Sequence, residues 1–270
     1  DGFYMLDFDY SAVEYRIIAS VSGQENLVEL FQDPDNDYHY FQASRIMGKP
    51  QELVTSGERQ QIKGLNFGIP YGMSDSSLGE TVYGKRAQEN NRKAAKLRKK
   101  YFEGQDKVQG MFIKAQDTAL TRGYAETYFG RRRYFDPRKY DRGSIKRQAG
   151  NHPIQGTAAD VYKIAIGRIF LKLAEEGLLG KVLISAFVHD EAVIEVHKSL
   201  DPIRVLKLVR DAAMISIPGW CPLFIGAGFG SNWKQAKSTE IPVQVQDDII
   251  ERFGEIGLDW WTGDLEPFNE

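Results

Sequence analysis

The segment that most constrains the fold is the apolar run at residues 184–196, ISAFVHDEAVIEV, which carries His189, Asp190 and Glu191 in its middle. Val, Ile, Phe and Ala favour β-strand, whereas Asp disfavours it. The pattern therefore predicts two strands joined by a tight turn that contains the three polar residues. A solvated hairpin tip with incidental charges explains such a cluster when it stands alone, so a chemical role requires an acidic partner elsewhere in the chain.

The elements predicted before this hairpin are mostly helical. A buried strand is predicted at residues 3–8, and the helix that follows it ends at Gly23. Helical spacing of apolar residues then dominates as far as Gly123, including a helix over residues 58–67.

The second half of the chain mixes strands and helices. We predict short strands at 124–128 and 133–135, a helical stretch over 140–176, a helix over 203–214 and a last strand over 223–227. The long helical stretch is interrupted at NHPIQG, because Pro153 lacks a backbone donor and disfavours helical geometry at His152. This order predicts an α+β protein whose antiparallel sheet receives a large helical insertion.

Composition narrows the cellular setting. The single cysteine, Cys221, excludes an intrachain disulfide framework and a Cys-rich zinc site, which favours a reducing compartment. No apolar run approaches the length of a membrane span, and we find no signal peptide. We expect an intracellular protein without a membrane partner, in the cytoplasm or nucleoid, an organelle or a virus-infected cell. Since the chain begins at Asp1 in a core strand, we also expect it to be a piece of a longer polypeptide.

Charge is unevenly distributed along the chain. The net charge of −2 argues mildly against a nucleic-acid-binding protein, yet positive charge concentrates at residues 85–101 and 130–147. A solvated helix face explains the first run as well as a phosphate-binding surface does. The second run contains three consecutive arginines with interleaved aromatic residues, which favours phosphate binding.

A partner for Asp190 lies at the end of the first predicted strand. Asp7 and Asp9 share one face of that strand, and we expect one of them to be buried. If this strand neighbours the hairpin, Asp9 and Asp190 converge, and two carboxylates about 4 Å apart repel by roughly 4 kcal/mol. Mg²⁺ relieves such repulsion with few carboxylate ligands, and two such ions catalyse phosphoryl transfer. A structural pair of aspartates that shares a proton is the alternative.

A stripe of basic and aromatic residues favours the catalytic interpretation. Arg59, Lys63, Phe67 and Tyr71 recur every fourth residue, which places them along one side of a helix. Two cations can bind a triphosphate, and Phe67 can stack on a sugar or base. Such spacing more often reflects aromatic residues in the core and basic residues on a solvated edge. A paired-carboxylate site in the same chain makes this explanation less favoured.

These residues lie in motifs that resemble those of the family A DNA polymerases, the bacterial DNA polymerase I type. DYSAVEYR resembles the family's first catalytic motif, RQQIKGLNFGIPYG its fingers-helix motif and VHDEAV its last catalytic motif. Further resemblances are GYAETYFGRRRY, NHPIQGTAAD and GFGSNWKQAK, all in family order within residues 1–237.

The resemblance implies the palm and fingers of a template-directed DNA polymerase. The expected division is palm over 1–22, fingers over 23–123, palm again over 124–237 and an acidic tail over 238–270. The thumb found upstream in the family has no counterpart in this chain. We therefore expect weak, poorly processive synthesis by the chain alone, and an upstream polymerase segment, in the same precursor or a separate chain, as a partner.

The resemblance also implies the metal site and its cofactor, two Mg²⁺ ions. Asp9 and Asp190 are the expected metal ligands, with the Tyr10 carbonyl as a further oxygen ligand and Glu191 as a nearby, less essential carboxylate. Together with Lys63, Asp9 and Asp190 are the expected catalytic residues.

For the incoming dNTP, the resemblance implies contacts from both ends of the stripe. Lys63 binds the triphosphate and donates a proton to the leaving pyrophosphate, and Arg59 and His39 bind phosphates. Glu14 excludes a ribose 2′-hydroxyl, while Phe67 rather than Tyr implies discrimination against dideoxynucleotides. Tyr71 completes this nucleotide-binding set.

For the primer-template DNA, the resemblance implies minor-groove and backbone contacts. Asn151, Gln155 and His189 lie along the minor groove, where donors test base-pair geometry without reading sequence. Arg131 and Arg132, with the arginine that follows them, hold backbone phosphate.

Two departures from the family pattern and two alternative functions stand beside this interpretation. Ala12 replaces a common Gln, and the tail after residue 237 resembles nothing in the family. A non-catalytic DNA-binding or assembly subunit could keep the fold, but intact Asp9, Asp190 and Lys63 oppose it. A single-subunit RNA polymerase relative is opposed by Glu14.

Overall fold

A computed structural model describes residues 2–189, 191–238 and 241–242 of the chain. The chain forms two compact units. The sheet unit comprises residues 1–13, 158–218 and 222 onward, and the helical unit comprises residues 14–157 and 219–221.

The structure contains helices and strands in the following order along the chain. They are β1 (Phe3–Tyr10), α1 (Val13–Ser22), α2 (Glu25–Leu30), α3 (Tyr38–Met47), α4 (Ser56–Gly68), α5 (Asp75–Tyr83), α6 (Gln88–Phe102), α7 (Asp106–Arg122), β2 (Tyr124–Glu126), β3 (Arg132–Tyr134), α8 (Arg142–Asn151), α9 (Thr157–Glu175), β4 (Val182–Val188), β5 (Glu191–His197), α10 (Pro202–Ala213), β6 (Ile225–Gly230), α11 (Trp233–Ser238) and β7 (Ile241–Pro242). A 3₁₀ turn at Gln51–Leu53 and a π-helical turn at His152–Gly156 complete the set.

The sheet unit is built on an antiparallel sheet with the strand order β4-β5-β1-β6-β7. Every second residue of β1 faces the core, where Leu6 pairs with Ile194 and Phe8 pairs with Ala192. The ring of Phe8 stacks on Tyr162 of α9, with ring centroids 6.0 Å apart. The predicted α+β class, the first strand and its pairing with the hairpin are thus confirmed.

In the helical unit, a cluster of buried apolar residues surrounds α4. Buried residues of α3, α4, α5 and α6 form this cluster, namely Ala43, Ile46, Ile62, Leu65, Leu78, Ala94 and Tyr101, with Val54 and Ile69 from the flanking loops. The start of α4 is fixed by a capping box, in which Thr55 Oγ1 accepts from the Glu58 amide and Glu58 accepts from the Thr55 amide. The helix ends at Gly68, before Pro70, as predicted.

Two local predictions were wrong. Pro153 does not push His152 out of helical geometry, since His152 has φ −59° and ψ −41°. The wider π-helical turn that begins there accommodates a proline without requiring its missing donor. Glu191 does not lie in the hairpin turn either, because it begins β5 and pairs with Asp9.

The predicted domain limits differ from the limits of the two units. Residues 14–22 and 124–157 belong to the helical unit, although the sequence suggested that they accompany the sheet. The assignment of palm and fingers stays a prediction. The acidic tail lies almost entirely outside the described residues. Among the helices within the described ranges, none combines the length and the apolar character that crossing a membrane requires.

Gly230 tests how closely α11 must approach the sheet. A Cβ at this position would overlap the backbone nitrogen of Ala236 and lie 2.7 Å from Gln235 Cβ. We expect Gly230→Ala to lower the free energy of unfolding by about 1–3 kcal/mol, because the helix must shift. Denaturant unfolding measures this change.

The matched control is Gly167→Ala on the exposed side of α9, where a Cβ meets nothing within 4 Å. We expect this variant to be stabilised by up to about 1 kcal/mol, since alanine favours helix over glycine. Wild-type stability in Gly230→Ala would contradict the tight approach of α11.

Candidate active site

The carboxylates of β1 lie on the sheet face opposite the apolar core. Asp7 pairs with Val193 and Gly228, and Asp9 pairs with Glu191 and Gly226. Asp7 is fully buried and Asp9 is half-buried, which confirms that one of the two aspartates is buried. The β6 residues that pair with these aspartates, Gly226 and Gly228, carry no side chain. Asp190 lies outside the described residues.

Glu191 is held by helix α11. Its Oε1 accepts a hydrogen bond from Trp233 Nε1, and its Oε2 accepts one from Lys237 Nζ. The same ammonium lies 4.0 Å from Asp7 Oδ2. Burial raises the pKa of Glu191, but hydrogen bonds from Lys237 and its neighbours outweigh burial and leave that pKa below its usual value. Sequence reasoning missed Lys237 and Trp233, although both lie in the GFGSNWKQAK motif.

The described residues provide part of what a magnesium site needs. Within those residues, no group of three or more His, Cys, Asp or Glu side chains is arranged to hold a metal ion. Asp9 has the hard oxygen donors that Mg²⁺ prefers, and the adjacent Tyr10 contributes a backbone carbonyl. Both oxygens of Glu191 already accept hydrogen bonds from α11. Asp9 and the Tyr10 carbonyl thus have the donor chemistry of magnesium ligands, and their metal-binding role stays a prediction.

In the helical unit, α4 presents the predicted basic and aromatic stripe. Arg59, Lys63 and Phe67 lie on the helix, whereas Tyr71 follows its end. Phe67 is 44% exposed, and Lys63 Nζ lies 6.0 Å from the centroid of its ring. An exposed ring with an ammonium beside it can receive an apolar face and a negative charge from one ligand.

Helix α3 places His39 beside this stripe. Its Nδ1 lies 2.8 Å from Asn66 Nδ2, and its ring centroid is 6.0 Å from that of Phe67. Burial lowers the pKa of His39 to about 4, so the imidazole is neutral at neutral pH. Arg59 donates two hydrogen bonds to Asp37, the residue that caps the start of α3. Sequence reasoning missed Asp37, although it lies only two residues before His39.

Glu14 and Tyr71 are in direct contact. The hydroxyl of Tyr71 donates a hydrogen bond to Glu14 Oε2. This bond fixes the carboxylate near the beginning of α1 to the segment that follows α4. Two residues predicted separately for nucleotide binding are thus brought together.

The predicted DNA-contacting residues other than His189 make local hydrogen bonds. Asn151 Nδ2 donates to Gln155 Oε1 at 2.8 Å, and Arg131 Nη2 donates to the Gly156 carbonyl at 2.8 Å. Arg132 pairs with Glu126 at 2.6 Å, so its charge is partly offset. His189 is exposed and has a φ of +60°, which places it in the left-handed region at the hairpin turn.

Comparison with known proteins agrees with the sequence motifs. The family model for DNA polymerase family A matches residues 1–235. The thermostable DNA polymerase I of Thermus aquaticus is 36% identical over 241 residues, which cover 88% of this chain and 28% of that protein. The DNA polymerase I of Pseudomonas aeruginosa is 34% identical over 244 residues, covering 87% of this chain and 25% of that protein.

A solved structure supports the same relationship. It is the POL domain of Pol1 from M. smegmatis in complex with DNA primer-template and dNTP, with a TM-score of 0.78 and 30% identity. The match covers 88% of this chain and 41% of that chain. The chain thus belongs to DNA polymerase family A and spans about a quarter of the length of the curated relatives it matches.

Replacing Lys237 tests how the carboxyl groups of Asp7 and Glu191 are stabilised. We expect Lys237→Met to lower the free energy of unfolding by about 1–3 kcal/mol, because it leaves the acceptors of Glu191 and Asp7 without this cation. Adding Asp7→Asn should recover part of the loss, since a buried neutral amide does not require a cation beside it. Denaturant unfolding of the single and double variants measures both effects.

Lys234→Met provides the control on the exposed side of the same helix. It should change stability by no more than about 0.5 kcal/mol. Equal losses for the two lysine variants would show that Lys237 acts as an ordinary surface residue.

Proposed function

We propose that the chain is the catalytic core of a template-directed DNA polymerase, which adds dNTPs to a primer 3′-hydroxyl. The observation that carries the proposal is the placement of Asp9 beside the hairpin, within a chain that matches DNA polymerase family A over residues 1–235. In this proposal, acidic residues of the sheet unit bind the metal ions, and basic and aromatic residues of the helical unit bind the nucleotide.

Asp9 and Asp190 are the proposed magnesium ligands, with the Tyr10 carbonyl as a further ligand. Bound Mg²⁺ supplies activation of a hydroxyl nucleophile and stabilisation of charge on the leaving phosphates. Glu191 is proposed to contribute less to metal binding than Asp9 and Asp190, because its oxygens accept hydrogen bonds from Trp233 and Lys237. That engagement accounts for its expected lesser importance.

The helical unit binds the incoming nucleotide in this proposal. Arg59 and Lys63 hold the triphosphate, and Lys63 donates a proton to the leaving pyrophosphate. His39, being neutral, binds phosphate through hydrogen bonding. Phe67 offers an exposed ring on which the nucleotide packs.

Primer-template DNA and a further polymerase segment are the proposed partners. Asn151, Gln155 and His189 contact the minor groove, while Arg131 and Arg132 contact backbone phosphate. Since the chain spans 28% of the Thermus aquaticus relative, we propose that a thumb is contributed by an upstream segment of the same precursor or by another chain.

An RNA polymerase is the second candidate, and the Glu14–Tyr71 contact favours the DNA polymerase over it. A carboxylate fixed by the Tyr71 hydroxyl is a rigid obstacle to a ribose 2′-hydroxyl. A non-catalytic DNA-binding subunit would have no need of the Asp9 and Glu191 arrangement on β1 and β5.

Replacing Asp9 tests the catalytic assignment. We expect Asp9→Asn to reduce dNTP incorporation on the order of 10³-fold, because the amide keeps the shape and loses the charge that binds Mg²⁺. Asp190→Ala should do the same. Single-turnover primer extension with Mg²⁺, with and without an upstream polymerase fragment, measures incorporation, and Mn²⁺ titration of the protein measures metal binding.

Glu195→Gln is the matched control, since Glu195 lies on β5 and on the same sheet face as Glu191. It should incorporate dNTPs at the wild-type rate. Wild-type activity in Asp9→Asn would overturn the catalytic assignment, and DNA binding without incorporation by the unmodified chain would favour the non-catalytic subunit.

Replacing Glu14 tests sugar discrimination. We expect Glu14→Ala to raise the efficiency of rNTP insertion relative to dNTP by about tenfold or more, equivalent to at least about 1.4 kcal/mol, because the obstacle to a 2′-hydroxyl is removed. Steady-state insertion with matched dNTP and rNTP pairs measures the ratio. Tyr71→Phe, which keeps the ring and removes the hydroxyl that holds Glu14, should give a smaller change in the same direction. Preferred rNTP use by the wild type would instead support the RNA polymerase candidate.

A further inference from the structure

We propose that Asp37 is a positioning residue for nucleotide binding, which orients Arg59 and His39 together so that both face the same triphosphate. This inference rests on the proposed polymerase function. It adds a residue that neither the motif analysis nor the predicted site included.

Each oxygen of Asp37 serves a different element. Oδ1 accepts from the backbone amides of His39 at 2.7 Å and Tyr40 at 3.0 Å, which makes Asp37 the N-cap of α3. Oδ2 accepts from Arg59 Nε at 2.9 Å and Nη2 at 2.6 Å. One carboxylate therefore joins the beginning of α3 to a side chain of α4.

The charge of Asp37 is maintained in this environment. Burial raises the pKa of its carboxyl, but the Arg59 guanidinium and the two amides of α3 outweigh burial and lower it below the usual value. The carboxylate is thus ionised at neutral pH and holds Arg59 by charge as well as by geometry.

The contact with Asp37 orients Arg59 but uses only some of its N–H donors. Asp37 uses Nε and Nη2, and a guanidinium has more N–H donors than this contact occupies. The arginine is also placed over the Tyr40 ring, 5.3 Å from its centroid. A side chain held from one side by Asp37 and Tyr40 presents its remaining donors in a narrow range of directions, which lowers the entropy lost when an anion binds.

The same carboxylate sets the position of His39. Because Oδ1 fixes the first turn of α3, the imidazole two residues after Asp37 keeps its place beside Asn66 and Phe67. Asp37 therefore fixes the positions of two donors in the predicted phosphate site, the cationic Arg59 and the neutral His39.

Asp37→Asn separates these two roles. Asparagine remains a good N-cap, so the α3 contact is retained, but the negative charge that holds Arg59 is lost. We expect the KM for dATP to rise by about tenfold, equivalent to about 1.4 kcal/mol, with kcat changed less than about threefold. The assay is insertion of dATP opposite a template T with Mg²⁺ and whichever polymerase segment the wild-type chain needs.

The ion pair between Lys49 and Glu58 is a matched control. It involves the residue before Arg59 on α4, and its side chains are 28% and 31% exposed, against 29% and 31% for Arg59 and Asp37. We expect Lys49→Met to leave KM and kcat unchanged. An equal rise in KM for both variants would indicate a general loosening of α4 and would overturn the positioning role.

A double-mutant cycle tests whether Asp37 acts through Arg59. In an Arg59→Met background, Asp37→Asn should cause less than about a twofold further rise in KM, because the group that it orients is already absent. Independent, multiplicative effects would overturn the inference. Restoring the carboxylate with Asp37→Glu should recover part of the wild-type KM if charge on Arg59 is what matters.

Failure of this inference is distinguishable from failure of the proposed function. If the wild type incorporates dATP and Asp37→Asn has the wild-type KM, Asp37 is not a positioning residue and the polymerase function stands. If the wild type incorporates no dNTP under any of these conditions, the proposed function fails, and the inference fails with it.

Discussion

The sheet unit depends on how the buried carboxyl group of Asp7 is stabilised within the central strand β1. A fully buried carboxylate is costly unless it is paired, and Lys237 Nζ lies 4.0 Å from Asp7 Oδ2 while donating to Glu191. This requirement brings α11 against the sheet, where Gly230 permits the close approach. The same contact holds Glu191 at the start of β5, directly opposite Asp9. Stability and the arrangement of the candidate metal-binding face therefore come from one cluster.

In the helical unit, ion pairs also determine which side chains are available to a ligand. Glu58 is used at the start of α4, where it completes the capping box and pairs with Lys49. Arg59, one residue later, is turned toward α3 by Asp37. Neighbouring pairs of similar exposure thus differ in what they fix: one fixes a helix end, and the other fixes a cation over the Tyr40 ring. Surface ion pairs contribute little stability on average, so orientation is the larger consequence of the second pair.

Periodicity predicted the parts of this chain that follow from local chemistry. The alternation in β1, the hairpin, Gly23 as the end of α1 and the helix α4 were all predictable, because each depends on residues within a few positions of one another. The π-helical turn at His152–Gly156 was not, since local rules state what proline disfavours and not how a wider turn accommodates it. Asp37, Trp233 and Lys237 were missed for another reason. Each acts on a residue at least 22 positions away, and no short motif records such a contact.

The net charge of −2 comes from the tail, because residues 238–270 carry nine acidic residues and one basic residue, whereas residues 1–237 carry 34 basic and 28 acidic residues. Acidic side chains of β1 and β5 lie on one face of the sheet, and their oxygen atoms are the ligands that hard cations prefer. Basic side chains line α4 and follow β2 in the helical unit. Each set has internal partners, such as Lys237 for Glu191 and Asp37 for Arg59, which limit repulsion within the set before any ligand binds. A net charge near zero is therefore compatible with the proposed nucleic-acid substrate, because it averages a positively charged segment over residues 1–237 with an acidic tail.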